Sequence, residues 1–511
     1  MSESATITHP DGRVELREQE IAALERSPLF NEDLAPVAVP KRTWTTWDFS
    51  ALWISMAHCI PTYTMAAGLI SQGMVWWQAL LTIALGNVIV LAPILLNSHP
   101  GTKYGIPFPV FARAAYGTSG SNLPALMRAL IACGWFGINA WIGGHALQAF
   151  ITAIYPGWAD LLGWFSGFPW NDWPEAQWFP GTQWISFAAF WALNILIVFK
   201  GMELVRRLER FAAPFVLVMT AALVVWAIDA AEGLGPIMSG GRHLTTTTDG
   251  IFPKFLPTFA ALFIPSLTAT IGFWSTLSLN MPDFTRFGRS QREQVIGQVV
   301  ALPTTMTVFA AMGIIITSAT VVIFKSPISD PIALGAKLGN NWIVGIAMFT
   351  IVIATLAVNI AANVVSPAND FANAFPSKIN FKRGGLITGV IGILMMPWEL
   401  LANADRYING WLLGYSGSLG SIAGVLIVDY WLLRRTELDL KSLYVSDGAY
   451  RYRNGWNLPA VWATLVGAIV ALLGAFWSPL APIYDWSWFV GFGLAGSVYW
   501  VLMKRTNPQF R

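Results

Sequence analysis

Twelve stretches of roughly 20 mostly apolar residues run through this chain, each long enough to cross the hydrocarbon core of a bilayer as a helix. They fall at about 48–71, 75–97, 123–153, 183–200, 208–228, 258–281, 297–324, 342–365, 385–401, 407–431, 457–477 and 485–503. With 55% hydrophobic and 12% charged residues among 511, and a mean hydropathy of +0.54, no soluble core of this size needs so much apolar surface. The expected class is an all-α integral membrane protein with 12 spans.

Basic residues near helix ends are retained on the cytoplasmic side, so their distribution orients the chain. With the N-terminus inside, 26 of the 31 Lys and Arg fall on the cytoplasmic side, Arg128, Arg206, Arg207 and Arg286 among them. Arg242, Lys254, Lys325, Lys337 and Arg406 remain outside. Both termini are therefore expected in the cytoplasm of a multi-pass cell-membrane protein. The division expected is a cytoplasmic tail (1–47), a ten-helix core (48–431), a cytoplasmic loop (432–456), two further helices (457–503) and a short tail (504–511). The longest outer loop, about 155–182, is rich in rings (Trp158, Trp164, Phe165, Phe168, Trp170, Trp173, Trp178, Phe179) and suits a segment at headgroup level. The stretch before Phe49 is polar and lacks the short apolar core of a cleaved signal peptide. A net charge of +3 spread over loops argues against nucleic acid as a partner. Cys59 and Cys133 lie in apolar runs, which argues against a disulfide framework.

Two spans contain helix breakers, Pro61 after His58 and Cys59 in the first, and Gly272 beside Phe273 and Trp274 in the sixth. Broken helices five spans apart suit two inverted five-helix repeats, with a site near the midplane and the last two helices appended. Charges inside the spans are nearly absent. Asp283, Asp370 and Asp429 sit at the basic ends, and Glu399 and Asp405 near the other end, which leaves His58 and His145 as the titratable groups well inside. An intramembrane carrier of ions or amino acids is expected to offer a countercharge. Here the polar groups are carboxamides and indoles. Trp135 and Asn139 are four residues apart and share a helical face, while Trp274 and Asn363 sit in comparable apolar runs. Two indoles can sandwich a flat ring, at about 1–3 kcal/mol per stacked base, and a carboxamide pairs with the N–H and C=O edge of an imide. Taken singly, each Trp reads first as packing, Asn139 and Asn363 read equally as interhelical hydrogen-bond glue, and His58 reads as a structural hydrogen-bonder. The constellation points to a small, flat, neutral solute. An enzyme would need a catalytic dyad or metal cluster, and a channel rings of charge or a filter sequence.

Longer motifs carry a resemblance. NEDLAP (Asn31–Pro36), KRTW (Lys41–Trp44), KYGIPFPVFARAAYG (Lys103–Gly117), GWFGINAWIGG (Gly134–Gly144), FWSTLSLNMPDFTR (Phe273–Arg286), NIAANVVSPANDF (Asn359–Phe371) and LMMPW (Leu394–Trp398) resemble the nucleobase:cation symporter-1 family. The likeness runs from about Asn31 to Leu443, and the chain looks like the bacterial carriers of hydantoins, allantoin and uracil. It implies the five-plus-five inverted repeat of the leucine-transporter type with two extra helices. It also implies a secondary transporter working by alternating access without a cofactor. By the resemblance, the stacking tryptophans fall on Trp135 and Trp274, with Phe273 beside the second, and the amides on Asn139 and Asn363. The position of a substrate-contacting Gln falls on Cys59. The family's sodium site falls on Ser55, Ala354, the carbonyl of His58, Ala357 and Val358, where the last two lack the expected hydroxyls. A hard cation needs oxygen ligands, so the expected coupling ion is a proton, with His58 as the candidate carrier. Purine or cytosine carriage, or sodium coupling, are the alternatives within the family.

Overall fold

The computed structural model describes residues 5–510 apart from 72–73, 166–178, 241–254, 327, 329 and 401–410. Arg242, Lys254, Phe168, Trp170, Trp173, Trp178, Asp405 and Arg406 lie outside the described residues.

The chain opens with an antiparallel strand pair, β1 (Thr6–Thr8) and β2 (Val14–Leu16), and a short helix, α1 (Glu18–Leu24). Span one is two helices, α2 (Thr46–Ala57) and α3 (Ile60–Ser71). Span two is α4 (Trp76–Tyr104), and α5 (Phe108–Tyr116) leads to span three, α6 (Asn122–Ile154). A second strand pair, β3 (Trp164–Phe165) with β4 (Phe179–Pro180), precedes span four, α7 (Gly181–Lys200). Span five is α8 (Met202–Ala230), followed by α9 (Leu234–Gly240). Span six comprises α10 (Phe255–Ser275), α11 (Leu277–Asn280) and α12 (Pro282–Thr285), and span seven is α13 (Gln291–Phe324). The short α14 (Pro331–Gly335) precedes span eight, α15 (Asn341–Asn363), which runs on as α16 (Val365–Ala374). Span nine is α17 (Phe381–Leu394), then α18 (Pro397–Leu400), and span ten is α19 (Leu413–Ile427). The last spans are α20 (Leu458–Phe476) and, after α21 (Ala481–Asp485), α22 (Ser487–Thr506).

Each predicted apolar run thus lies mostly on helix where it is described. Among the described residues, eight helices are individually long and apolar enough to cross a bilayer, and two bent pairs bring the number to ten. The halves of span one, at 12 residues each, and α17, at 14, are shorter. Outward faces remain apolar, as at Leu196, Val218, Val225 and Ile469, as lipid requires.

Packing sorts the spans into two layers. In one, α2 and α3 lie on α13, and α4 on α13 and α10. In the other, α6 packs on α15, α7 and α17. Small residues set the closeness of the second layer: a Cβ on Gly137 would stand 2.3 Å from the Gly392 carbonyl oxygen, so backbone meets backbone there. The α8 helix touches both layers through α2, α13 and α15, and α19 packs against α20 and α22.

The break in span one lies at His58 and Cys59, with Pro61 in the first turn of α3, where its missing N–H costs nothing. In span six the expectation needs correction. The helix passes straight through Gly272 and bends by 43° at Thr276. A Cβ on Gly272 would meet the Leu412 carbonyl and Ser416 at 3.0 Å, so this glycine admits α19 rather than breaking α10.

The expectation of nearly charge-free spans is also corrected. Glu209 lies inside α8 and is buried, and Arg128, seven positions into α6, is wholly buried, its Nη2 donating to the Ala362 carbonyl at 3.0 Å. Asp283 and Asp370 are wholly buried too. Arg206 and Arg210 do more than anchor topology, because their Nε groups donate to Asp48 at 2.9 and 2.6 Å, and Asp48 also accepts from the Thr45 amide at the start of α2.

Candidate substrate-binding site

All six residues expected to meet the solute line one cavity between the breaks of spans one and six. Trp135 and Asn139 come from α6, Phe273 and Trp274 from α10, Asn363 from the end of α15, and Cys59 from the gap between α2 and α3. Its volume is about 30 Å³, room for little more than water, because Phe273 stands edge-on to both indoles. The ring centroids are 5.3 Å from Trp135 and 4.9 Å from Trp274.

The polar groups are unevenly satisfied. Asn139 Nδ2 donates to the Trp135 carbonyl one turn back, at 3.1 Å, which leaves Oδ1 buried without a partner. Trp274 Nε1 is likewise buried and unpartnered, with its ring edge-on to Trp53 at 5.2 Å. Buried polar groups usually have a partner, so each of these two is a place where a further molecule can complete the hydrogen bonding. Trp135 Nε1 is taken by the Tyr415 hydroxyl of α19 at 3.2 Å. Asn363 Nδ2 donates to Asn359 Oδ1 at 3.0 Å, Asn359 Nδ2 to Asn194 Oδ1 at 3.2 Å, and Asn194 Nδ2 to the Phe190 carbonyl at 2.8 Å. This amide relay fixes Asn363 from its own helix and from α7 behind it. Tyr415 and the relay were not singled out in the sequence. Asn359 stands four before Asn363, a spacing that signals a shared face, but nothing in the chain order announces Tyr415.

His58 lies apart from this cavity. Its Nε2 meets the Thr220 hydroxyl, and its ring stands edge-on to Phe309 at 4.5 Å. It lines an adjoining cavity of about 270 Å³ together with Ala354, and Cys59 borders both spaces. The five positions of the expected degenerate sodium site do not share one space. Val358 faces the small cavity and Ala357 is packed away. Ser55 donates its hydroxyl to Glu209 of α8, whose Oε1 has no partner. Among the described residues, no group of three His, Cys, Asp or Glu is arranged to hold a metal. His145, the other histidine expected well inside a span, packs on Trp141 and Phe179 away from the site.

A family model described as permease for cytosine/purines, uracil, thiamine and allantoin matches residues 36–491. The chain belongs to this permease family. An allantoin permease of Bacillus subtilis is 40% identical over 480 residues, covering 94% of each chain. The purine-uracil permease of Arabidopsis thaliana is 39% identical over 495 residues, 94% of this chain and 79% of that one. Mhp1, a nucleobase-cation-symport-1 family transporter solved closed around bromovinylhydantoin, superposes with a TM-score of 0.73 at 25% identity, covering 94% of this chain and 98% of that one. MhsT, at 15% identity and a TM-score of 0.53 over 89% of this chain and 97% of that one, shares the fold alone. The permease is thus a nucleobase-type secondary transporter and not an enzyme.

Proposed function

We propose that this permease imports a neutral, planar, N–H-bearing heterocycle of the allantoin, hydantoin or uracil type across the cell membrane, with both termini cytoplasmic. The observation that carries this reading is the single cavity that gathers both indoles while leaving Asn139 Oδ1 without a donor. A ring between the indoles with an N–H toward Asn139 satisfies both, and among the described residues no charged side chain lines the cavity. Names of relatives, an allantoin permease, a hydantoin permease and a uracil permease among them, support the same class. Transport by alternating access then consists of the layer of spans one, two, six and seven rocking against the layer of three, four, eight and nine. Phe273 would have to swing aside to admit the ring.

The test is uptake by Trp135→Ala and Trp274→Ala variants with surface expression monitored. Loss of one stacked face, worth about 1–3 kcal/mol, should weaken affinity by roughly 5- to 150-fold, and unchanged uptake in both variants removes the reading. A purine is the second candidate, favoured by the purine-uracil permease at 39% identity. Competition by allantoin, benzylhydantoin, uracil, cytosine and hypoxanthine separates the two.

The coupling ion in this proposal is a proton. Alanine and valine at 357 and 358 offer no side-chain oxygen, and the Ser55 hydroxyl is engaged by Glu209. Two groups at the break can carry it, His58 and Glu209. Glu209 is the stronger, since a carboxyl that bridges spans one and five without a basic partner can exchange a proton as either side opens. Glu209→Gln should retain substrate binding and lose the stimulation of uptake by an inward proton gradient. A sodium-dependent rise in affinity overturns proton coupling, and an unchanged pH response in the variant returns the role to His58.

A further inference from the structure

The larger cavity beside His58 is not used by the substrate reading above and stands independently of it. Its walls come from α3, α8, α13 and α15, with α14 as a roof. Most polar side chains on its walls are satisfied inside the protein: His58 by Thr220, Cys59 by Thr62, Tyr63 by Thr317 and Thr350 by the Ile346 carbonyl. Among the described lining residues, only His58 Nδ1 is buried without a partner. A buried water requires two to four polar partners, so this space is unsuited to water, while dry apolar cavities of about 150 Å³ take up benzene. At about 270 Å³ it is larger than that.

The mouth of the cavity shows what stands outside it. Ala222 of α8 and Ile343 and Ile346 of α15 line it and are exposed, the two isoleucines by 51% and 53%. Both helices are long and apolar enough to cross a bilayer. Trp342, 82% exposed one turn before Ile346, suits the headgroup level, so the opening lies about 6 Å deeper, within the hydrocarbon.

We propose that this cavity is a lipid site that takes one acyl chain of a bilayer phospholipid, entering between α8 and α15 in the leaflet away from the basic loops. The chain end reaches Phe309 and Ile316 of α13, which are 5% and 2% exposed and meet no lipid by any outer face. There it sits at the seam between the two layers, against α3 just past the break in span one. An acyl chain so placed makes the rocking of the layers sensitive to lipid composition.

The test is photolabelling of the full-length protein in vesicles of phosphatidylcholine that carries a diazirine on its acyl chain, followed by peptide mapping. The expected result is label on the Phe309–Ile316 segment as well as on outward-facing Val218 and Val225. Ala347→Phe fills the cavity and Ala222→Trp closes its mouth. Each should lower the inner label by about tenfold or more, because every excluded methylene weakens partition, while the outer label stays. Label confined to outward positions in the wild type, or inner label undiminished in both variants, overturns the site. Vesicles with short acyl chains provide a second readout: uptake should respond to chain length in the wild type and lose that response in Ala347→Phe. An equal response in both overturns the coupling of lipid to transport.

Discussion

At the scale of single residues, the site depends on which hydrogen-bonding capacity is already spent. Asn139 has given one of its two Nδ2 hydrogens to its own helix while its Oδ1 is buried without a partner, so the unmet demand there is for a donor, which a solute N–H would supply. Asn139→Leu keeps the volume and removes the acceptor. It should raise KM about tenfold, the cost of one buried unpaired group at about 1–3 kcal/mol, and should erase the penalty that N-methylation of the substrate carries in the wild type. Equal penalties in both proteins would move the N–H contact elsewhere. Tyr415→Phe tests the support of Trp135. Loss of one hydrogen bond, net about 0.5–1.5 kcal/mol, should raise KM by roughly 2- to 10-fold with expression intact.

At the scale of elements, the N-terminal segment is more than a tail. Val14 and Leu16 of β2 are buried, and the Arg42 guanidinium donates to the carbonyls of Val14, Val37 and Thr102 at 2.9, 2.8 and 3.0 Å. Asn31 donates to the carbonyls of Pro376 and Ile379, and Asp33 accepts from the Phe381 amide at the start of α17. The segment therefore straps the ends of spans two, eight and nine together. Arg42→Ala should lower the melting temperature in detergent by several degrees, since a buried array of carbonyls loses its donors; an unchanged melting curve would reduce the strap to a passive tail. Within the layer of α6, α7, α15 and α17, Gly137→Val should do more harm than a core substitution of the same size, whose overpacking costs about 1–3 kcal/mol, because the obstacle is the Gly392 backbone. The motifs NEDLAP and KRTW were visible in the chain as conspicuous strings. What they hold on spans two, eight and nine was not, since those partners lie 60 to 348 positions away.

At the scale of the whole molecule, two layers meet around a site whose parts come from four spans, with α8 and the acyl cavity at their seam. If the layers rock as units, spin labels on α4 and α13 should keep their separation when substrate is added, while labels on α13 and α17 should change theirs. A fixed distance across the layers would rule out rocking. The apolar runs were legible because lipid imposes a length and a hydropathy on every crossing helix. Trp135, Asn139, Trp274 and Asn363 stood out for the same reason, as polar or flat groups that lipid cannot satisfy. That they face one cavity, that Phe273 closes it, and that Asn139 Oδ1 is left without a donor followed only from the packing of α6, α10 and α15. Glu209 escaped notice at the edge of its span because burial of a carboxyl depends on what packs over it, and here that is Ser55 on a helix 154 positions away. Hydropathy and spacing are local properties written along the chain, whereas satisfaction of a buried polar group is a property of pairs brought together only when the helices dock.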